Sequence, residues 1–166
     1  MTACEALFSF RRYPPSAMQV AMLLADHAQA VQGKLYIVGG GWTIIAPGTP
    51  SAVAIYIRVP WTQTNTKHTW RLELIDSDGQ PVVVPGPVGE QPIVIEGGFE
   101  VGRPAGSIPG TEQAVSLAVN YGPLPLAPGG RYEWRLAIDG HPDDDWRLPF
   151  SVVALPVQNQ PPPEAS

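Results

Sequence analysis

Apolar and polar residues alternate along most of this chain, in short runs punctuated by glycine and proline. Between Ser51 and Trp61, Val53, Ile55, Ile57 and Val59 fall on one face and Ala54, Tyr56 and Arg58 on the other. His68–Asp76 repeats the pattern, with Trp70, Leu72 and Leu74 inward and Arg71 and Glu73 outward. Gln113–Asn120 alternates through Ala114, Val115, Leu117 and Val119, and Tyr132, Trp134, Leu136 and Ile138 make the most regular run of all. A period of two is the signature of a strand with one buried face.

The remaining segments fit between these strands. Residues 1–16 end in Tyr13-Pro14-Pro15 and predict an extended lead-in. Met18–Asp26 is a continuous apolar run; Gln19–Ala30 holds no helix breaker, yet a buried strand ending near Asp26 agrees better with the β-like segments beyond it. Lys34–Ala46 reads as a strand interrupted by Gly39-Gly40-Gly41 and closed by Pro47-Gly48-Thr49-Pro50. Thr62–Thr66 is a polar connection with room for one helical turn, and Asp76-Ser77-Asp78-Gly79 is a turn. Val82–Val84 predicts a short return strand, followed by a proline-rich loop through Pro85, Pro87 and Pro92. Ile93–Val101 is a strand with a bulge expected at Gly97-Gly98. Gly102–Gly110 and Pro123–Gly130 are loops, Asp139–Asp145 turns the chain, and Trp146–Leu155 returns. One domain is expected over 17–155, with a Pro-rich, disordered tail over 156–166.

About eight short strands with turn signals between them predict an all-β, antiparallel β-sandwich. Tyr132 follows Leu126 by six residues across Pro128-Gly129-Gly130. That spacing resembles the tyrosine corner of immunoglobulin-like folds, whose phenol bonds backbone a few residues upstream; an ordinary core tyrosine after a turn is the plainer alternative. Trp70–Asp76 and Trp134–Asp139 echo each other, but shared strand patterning explains this without a repeat.

Composition supports the strands and narrows the chemistry. Gly and Pro together make 37 of 166 residues, about 22% against a usual 12% or so, which suits frequent chain reversals. Net charge is −5, and Arg11-Arg12 is a pair rather than a patch, so nucleic acid is not an expected partner. Cys4 is the lone cysteine, which excludes an internal disulfide or a CxxC zinc site, and its neighbour Glu5 does not favour a thiolate. The N-terminal region lacks a leader's order of charge, apolar run and small-residue site, and the nine residues Ala17–Ala25, apolar but for Gln19, cannot span a bilayer. A cytoplasmic protein without membrane contact is the expectation.

Each candidate site has a plainer alternative beside it. Gly39, Gly40 and Gly41 could cradle a phosphate, but a phosphate loop needs a helix after it, and Trp42-Thr43-Ile44-Ile45 is strand-like. Room for the Trp42 ring, or a switch between sheets, explains them better. Asp143-Asp144-Asp145 and Asp76-x-Asp78-Gly79 lack the alternating oxygens and distant carboxylate of a calcium loop, so no metal or other cofactor is expected. His27, His68 and His141 form no recognisable catalytic set with a nucleophile, and no enzyme is expected. Trp42, Trp61 and Trp146 are candidates for stacking on a sugar, whereas Trp70 and Trp134 belong to a core face.

An ordered series extends through most of the chain: Leu23-Leu-Ala-Asp26, Gly33-Lys-Leu-Tyr-Ile-Val-Gly-Gly-Gly-Trp42, Pro60-Trp61, Trp70-Arg-Leu-Glu-Leu-Ile-Asp76, Phe99-Glu-Val-Gly-Arg-Pro104, and Leu124-Pro-Leu126 with Pro128-Gly-Gly-Arg-Tyr132. Over about residues 18–153 it resembles a bacterial family, common in actinobacteria, known only as a domain of unknown function. The resemblance implies a small cytoplasmic β-sandwich and supplies no catalytic or ligand residue. A non-catalytic module that binds a protein partner or itself is the leading expectation. A small-ligand or carbohydrate-binding domain is the alternative, and Gly39, Gly40, Gly41, Trp42, Trp61, Arg103 and Trp146 are the candidate contact residues for either.

Overall fold

Twelve strands make up the described part of the chain, residues 17–154 of this computed structural model. In chain order they are β1 (Gln19–Ala25), β2 (His27–Val31), β3 (Lys34–Val38), β4 (Ile44–Ile45), β5 (Ser51–Val59) and β6 (Lys67–Asp76). Then come β7 (Val83–Gly86), β8 (Gly89–Pro92), β9 (Val94–Glu100), β10 (Gln113–Tyr121), β11 (Arg131–Ile138) and β12 (His141–Val152). A single 3₁₀ turn, Trp61–Gln63, opens the connection between β5 and β6. The expected lead-in over 1–16, Cys4 and the tail over 156–166 lie outside the described residues.

Eight of these strands form two facing sheets, ordered β1-β5-β10 and β4-β12-β11-β6-β9. The pairings are antiparallel except for a two-residue parallel contact of β4 with β12 at one edge. The alternation seen in sequence sets the core. Val53, Ile55, Ile57 and Val59 of β5 face Leu72 and Leu74 of β6 and Trp134, Leu136 and Ile138 of β11, all buried. Each such side chain contributes about 1.5–3 kcal/mol on leaving water.

The other four strands form two appended hairpins, β2-β3 and β7-β8. Both correct the sequence expectations. The stretch His27–Val31, whose alanines suit a helix as well as a strand, pairs with β3 across Gln32-Gly33, both at positive φ. The proline-rich stretch after Val84 folds back on itself, pairing Val83 with Pro92 and Pro85 with Glu90. Prolines are tolerated there because the hairpin is two-stranded and each strand has a free edge.

The β2-β3 hairpin lies over the outer face of β5 and β10 as a partial third layer. Ala52 and Ala54, on the face of β5 opposite the core, are therefore as buried as Ile55. With Ala25, Ala28 and Ala118 they form a second small cluster, against which Leu35 packs. Small side chains let a backbone approach a sheet this closely, which is why the outer face carries alanine where the hairpin crosses it.

Two further expectations change. Gly97-Gly98 form no bulge: the register of β9 on β6 is continuous from Lys67↔Glu100 to Glu73↔Val94. Gly97 instead leaves room for an indole, since a Cβ there would fall 2.7 Å from Trp70 Nε1. The turn expected over Asp139–Asp145 is only Asp139-Gly140, both at positive φ, and β12 starts at His141. Asp-Gly favours a two-residue turn of this hand. The surplus residues are absorbed inside β12 as a register shift opposite Leu136.

The Tyr132 hydroxyl accepts a hydrogen bond from Ala127 N–H at 2.9 Å, five residues upstream. Gly130 lets the ring pass, because a Cβ there would fall 2.7 Å from that hydroxyl.

Candidate functional site

The glycine tract joins the hairpin layer to the five-stranded sheet. Gly39, at φ 61°, lies so close to Asp26 that any side chain would strike its carboxylate. A Cβ on Gly40 would fall 2.7–2.8 Å from Ile37 and Leu23. Gly41, at φ 96°, donates its N–H to the Leu24 carbonyl at 2.8 Å and so caps one end of the β1 edge. The tract thus serves a passage between layers, not the seating of the ring that comes after it.

Trp42 is half-buried and meets Phe150 edge-on, with centroids 6.0 Å apart. Its Nε1 is buried without a hydrogen-bonding partner, as is the Tyr121 hydroxyl, whose ring stacks on Trp134 at 4.6 Å. Burial pushes the Tyr121 pKa well up, so that hydroxyl stays protonated. Trp146 is 9% exposed and belongs to the core.

Trp61 and Arg103, distant in sequence, are brought together. The Arg103 guanidinium carbon sits 4.2 Å from the Trp61 ring centroid. Arg103 Nε donates to Thr64 Oγ1 at 2.7 Å and Nη2 to the Trp61 carbonyl at 2.9 Å. Thr64 Oγ1 in turn donates to that same carbonyl at 2.7 Å. The arrangement pins the 3₁₀ turn to the loop after β9. Beside it, Arg58, Pro60, Thr62, Gly110 and Glu112 border an open groove, with Arg58 and Glu112 ion-paired.

Trp61 and Trp42 do not share a surface. Phe150, the partner of Trp42, lines a cleft with Ser51 at the start of β5, whereas Trp61 lies just past its end. Nine residues of strand span roughly 30 Å.

His68 is buried beneath Phe99, with Nδ1 2.7 Å from Asp139 Oδ2 and Nε2 2.9 Å from the Gln63 carbonyl. Both neighbours offer acceptor oxygens, an arrangement that favours the ring with a proton on each nitrogen. Burial by itself lowers the His68 pKa, but the Gln63 carbonyl and the Asp139 carboxylate outweigh it and raise it above the ordinary value. Burial likewise favours neutral Asp139, yet the bonds from His68 and from Thr69 N–H hold its pKa below the ordinary carboxylate value. His141 and the three aspartates after Pro142 sit in β12, where Asp143 accepts from Asp145 N–H and Asp144 pairs with Arg147.

What sequence reasoning missed is the outer surface of the hairpin. Among the described residues eleven large apolar side chains are exposed; Val31, Tyr36 and Val38 share the hairpin's outer face, while Ile37 turns toward the sheet, where Leu23 of β1 lies beside it and Tyr56 of β5 is exposed on the same face of the sheet. Val38 is 62% and Tyr36 55% exposed. Gln32-Gly33 between two five-residue runs was the available signal, weakened because Asn or Asp is the usual residue before glycine in such turns.

These features define an all-β protein built on a two-layer sandwich with an apolar hairpin laid across it. No helix among the described residues is long and apolar enough to cross a membrane. The chain belongs to a family of unknown function, DUF6941, whose model matches residues 20–153. No curated protein matches it.

Proposed function

We propose that this chain is a non-catalytic protein-interaction or assembly module whose contact surface is the β2-β3 hairpin. The observation that carries this is the concentration of exposed apolar side chains on that hairpin and the sheet beside it. Single exposed hydrophobics are ordinary, but a contiguous group marks an interaction surface. Tyr36 gives the patch a rigid amphipathic anchor of the kind enriched at interfaces. A cytoplasmic location, bacterial origin and an immunoglobulin-like character belong to the same reading; the Tyr132–Ala127 bond supports the last of these. The test is affinity capture with the full chain from its source cell, beside its mass in solution. The wild type retains a defined partner or self-associates, and Tyr36→Ser with Val38→Ser loses that contact. A monomer that captures no reproducible partner overturns the reading.

The alternative, a small-ligand or carbohydrate-binding domain, rests on Trp61, which borders an open groove with one ring face under Arg103. Glycan-induced quenching of tryptophan fluorescence that disappears in Trp61→Phe would favour it; an unchanged spectrum across a glycan panel would remove it.

A further inference from the structure

The hairpin's hydrogen-bond ladder fixes which backbone groups of β3 lack partners. Across a two-residue turn the flanking residues, Val31 and Lys34, exchange bonds, and the exchange recurs at Gln29/Tyr36 and His27/Val38. Ala28, Ala30, Leu35 and Ile37 then point their N–H and C=O groups outward. Ala28 confirms the alternation, since both its outward groups are taken by the Asn120 side chain. The outward groups of Leu35 and Ile37 face the open side of β3, which pairs only with β2 among the described residues.

That edge has none of the usual protection. Lys34-Leu35-Tyr36-Ile37-Val38 holds no proline, no bulge and one charge, at its end. The β9 edge, by contrast, carries Glu96 and Glu100. The β10 edge exposes none of its large apolar side chains, whereas Tyr36, Ile37 and Val38 are all exposed.

Resting on the interaction-module reading and naming its partner, we propose that β3 pairs antiparallel with β3 of a second copy of this chain, on a two-fold axis through Tyr36. The edge is complementary to itself in this register. Leu35 of each copy faces Ile37 of the other, so the outward donors and acceptors meet in two exchanging pairs. Lys34 of each copy lies at the Val38–Gly39 end of the other, where the Asp26 carboxylate sits against Gly39. Neither Lys34 nor Asp26 has an ion-pair partner among the described residues, so the contact joins two unused opposite charges. The net charge of −5 on each copy is screened beyond about 8–10 Å at physiological salt, and residues 34–38 themselves carry no acidic side chain.

The test uses the full chain with Cys4→Ser, so that any cysteine is an introduced one. Light scattering across a concentration series is expected to show a dimer. Tyr36→Cys, at the axis, is expected to form a covalent dimer on mild oxidation, while Val31→Cys, on the distant strand of the hairpin, forms no covalent link under the same conditions. Ile37→Pro removes an outward N–H that the hairpin itself does not use, and is expected to weaken dimerisation more than about tenfold with its circular dichroism unchanged. Lys34→Glu, placed against Asp26 of the other copy, weakens it without touching the backbone. A monomer at every concentration, or a dimer that links through position 31 and not 36, overturns the pairing. If that monomer still captures a partner through Tyr36 and Val38, self-pairing fails and the module reading stands; if it captures nothing, both fail.

Discussion

The Asn120 side chain acts as a strand for Ala28: its Oδ1 accepts the Ala28 N–H at 3.1 Å and its Nδ2 donates to the Ala28 carbonyl at 2.9 Å. A second tie, from Ser116 Oγ to the Gly33 carbonyl at 3.0 Å, holds the tip of the same hairpin. Between these ties mostly alanines, with Leu35, separate the hairpin from the sheet, so hydrogen bonds and close backbone approach replace much of the bulky packing.

Asn120→Ala therefore leaves two buried backbone groups of Ala28 without partners. We expect a loss of about 1–3 kcal/mol in denaturant unfolding, with faster amide exchange confined to His27–Val38. Asn120→Asp keeps the acceptor but loses the donor and falls between the two. Uniform acceleration of exchange over the whole sandwich would show that the hairpin does not open separately.

Tyr132→Phe removes the acceptor for Ala127 N–H and is expected to lower stability by about 1 kcal/mol, read from the urea midpoint. Gly130→Ala is expected to cost more, because its Cβ meets both the Tyr132 hydroxyl and the Ala127 carbonyl, the latter at 2.9 Å. Equal effects would mean that the corner relaxes around an added methyl.

Much of the sandwich was legible because most of its strands alternate large apolar residues on the core face with smaller or polar ones on the other. Ile55 and Ile57, or Leu72 and Leu74, announce themselves by a period of two. The hairpin was not legible because both faces of His27–Val31 break that rule: Ala28 is buried among other alanines, and Val31 is left in solvent. Gly97 misled for a related reason, since a glycine that makes room for a neighbour's ring looks in sequence like one that bends the chain. The same applies to Gly39–Gly41, whose prominence reflects a change of layer. Trp61 and Arg103 could be named singly but not paired, because 42 positions separate them and nothing local encodes the loop's return.

Gly97 and Gly98 then separate sharply in mutation. Gly97→Ala forces the Trp70 indole to move and is expected to cost about 1–3 kcal/mol, with a shift in tryptophan emission. Gly98→Ala meets only the His68 carbonyl, at 3.3 Å, and is expected to be far milder with no spectral change. A mild Gly97→Ala would show that Trp70 has other space.

Stability should also follow the His68–Asp139 pair through pH. His68 has a raised pKa in the fold, so its contribution is complete below the ordinary histidine value of 6.5 and is lost as pH rises through the folded value above it. Asp139 has a lowered pKa, so its contribution is complete above the ordinary value of 3.8 and is lost as pH falls through the folded value beneath it. The pair therefore supports the fold most fully between those two ordinary values. Asp139→Asn is the informative variant: asparagine tolerates the positive φ of this position and keeps an acceptor for Thr69 N–H, but carries no charge for the imidazolium. Urea midpoints measured across pH should show the wild type losing stability as pH rises past the ordinary histidine value, while Asp139→Asn is flatter and lower between the two ordinary values. Parallel curves for the two proteins would place the pH dependence elsewhere in the chain.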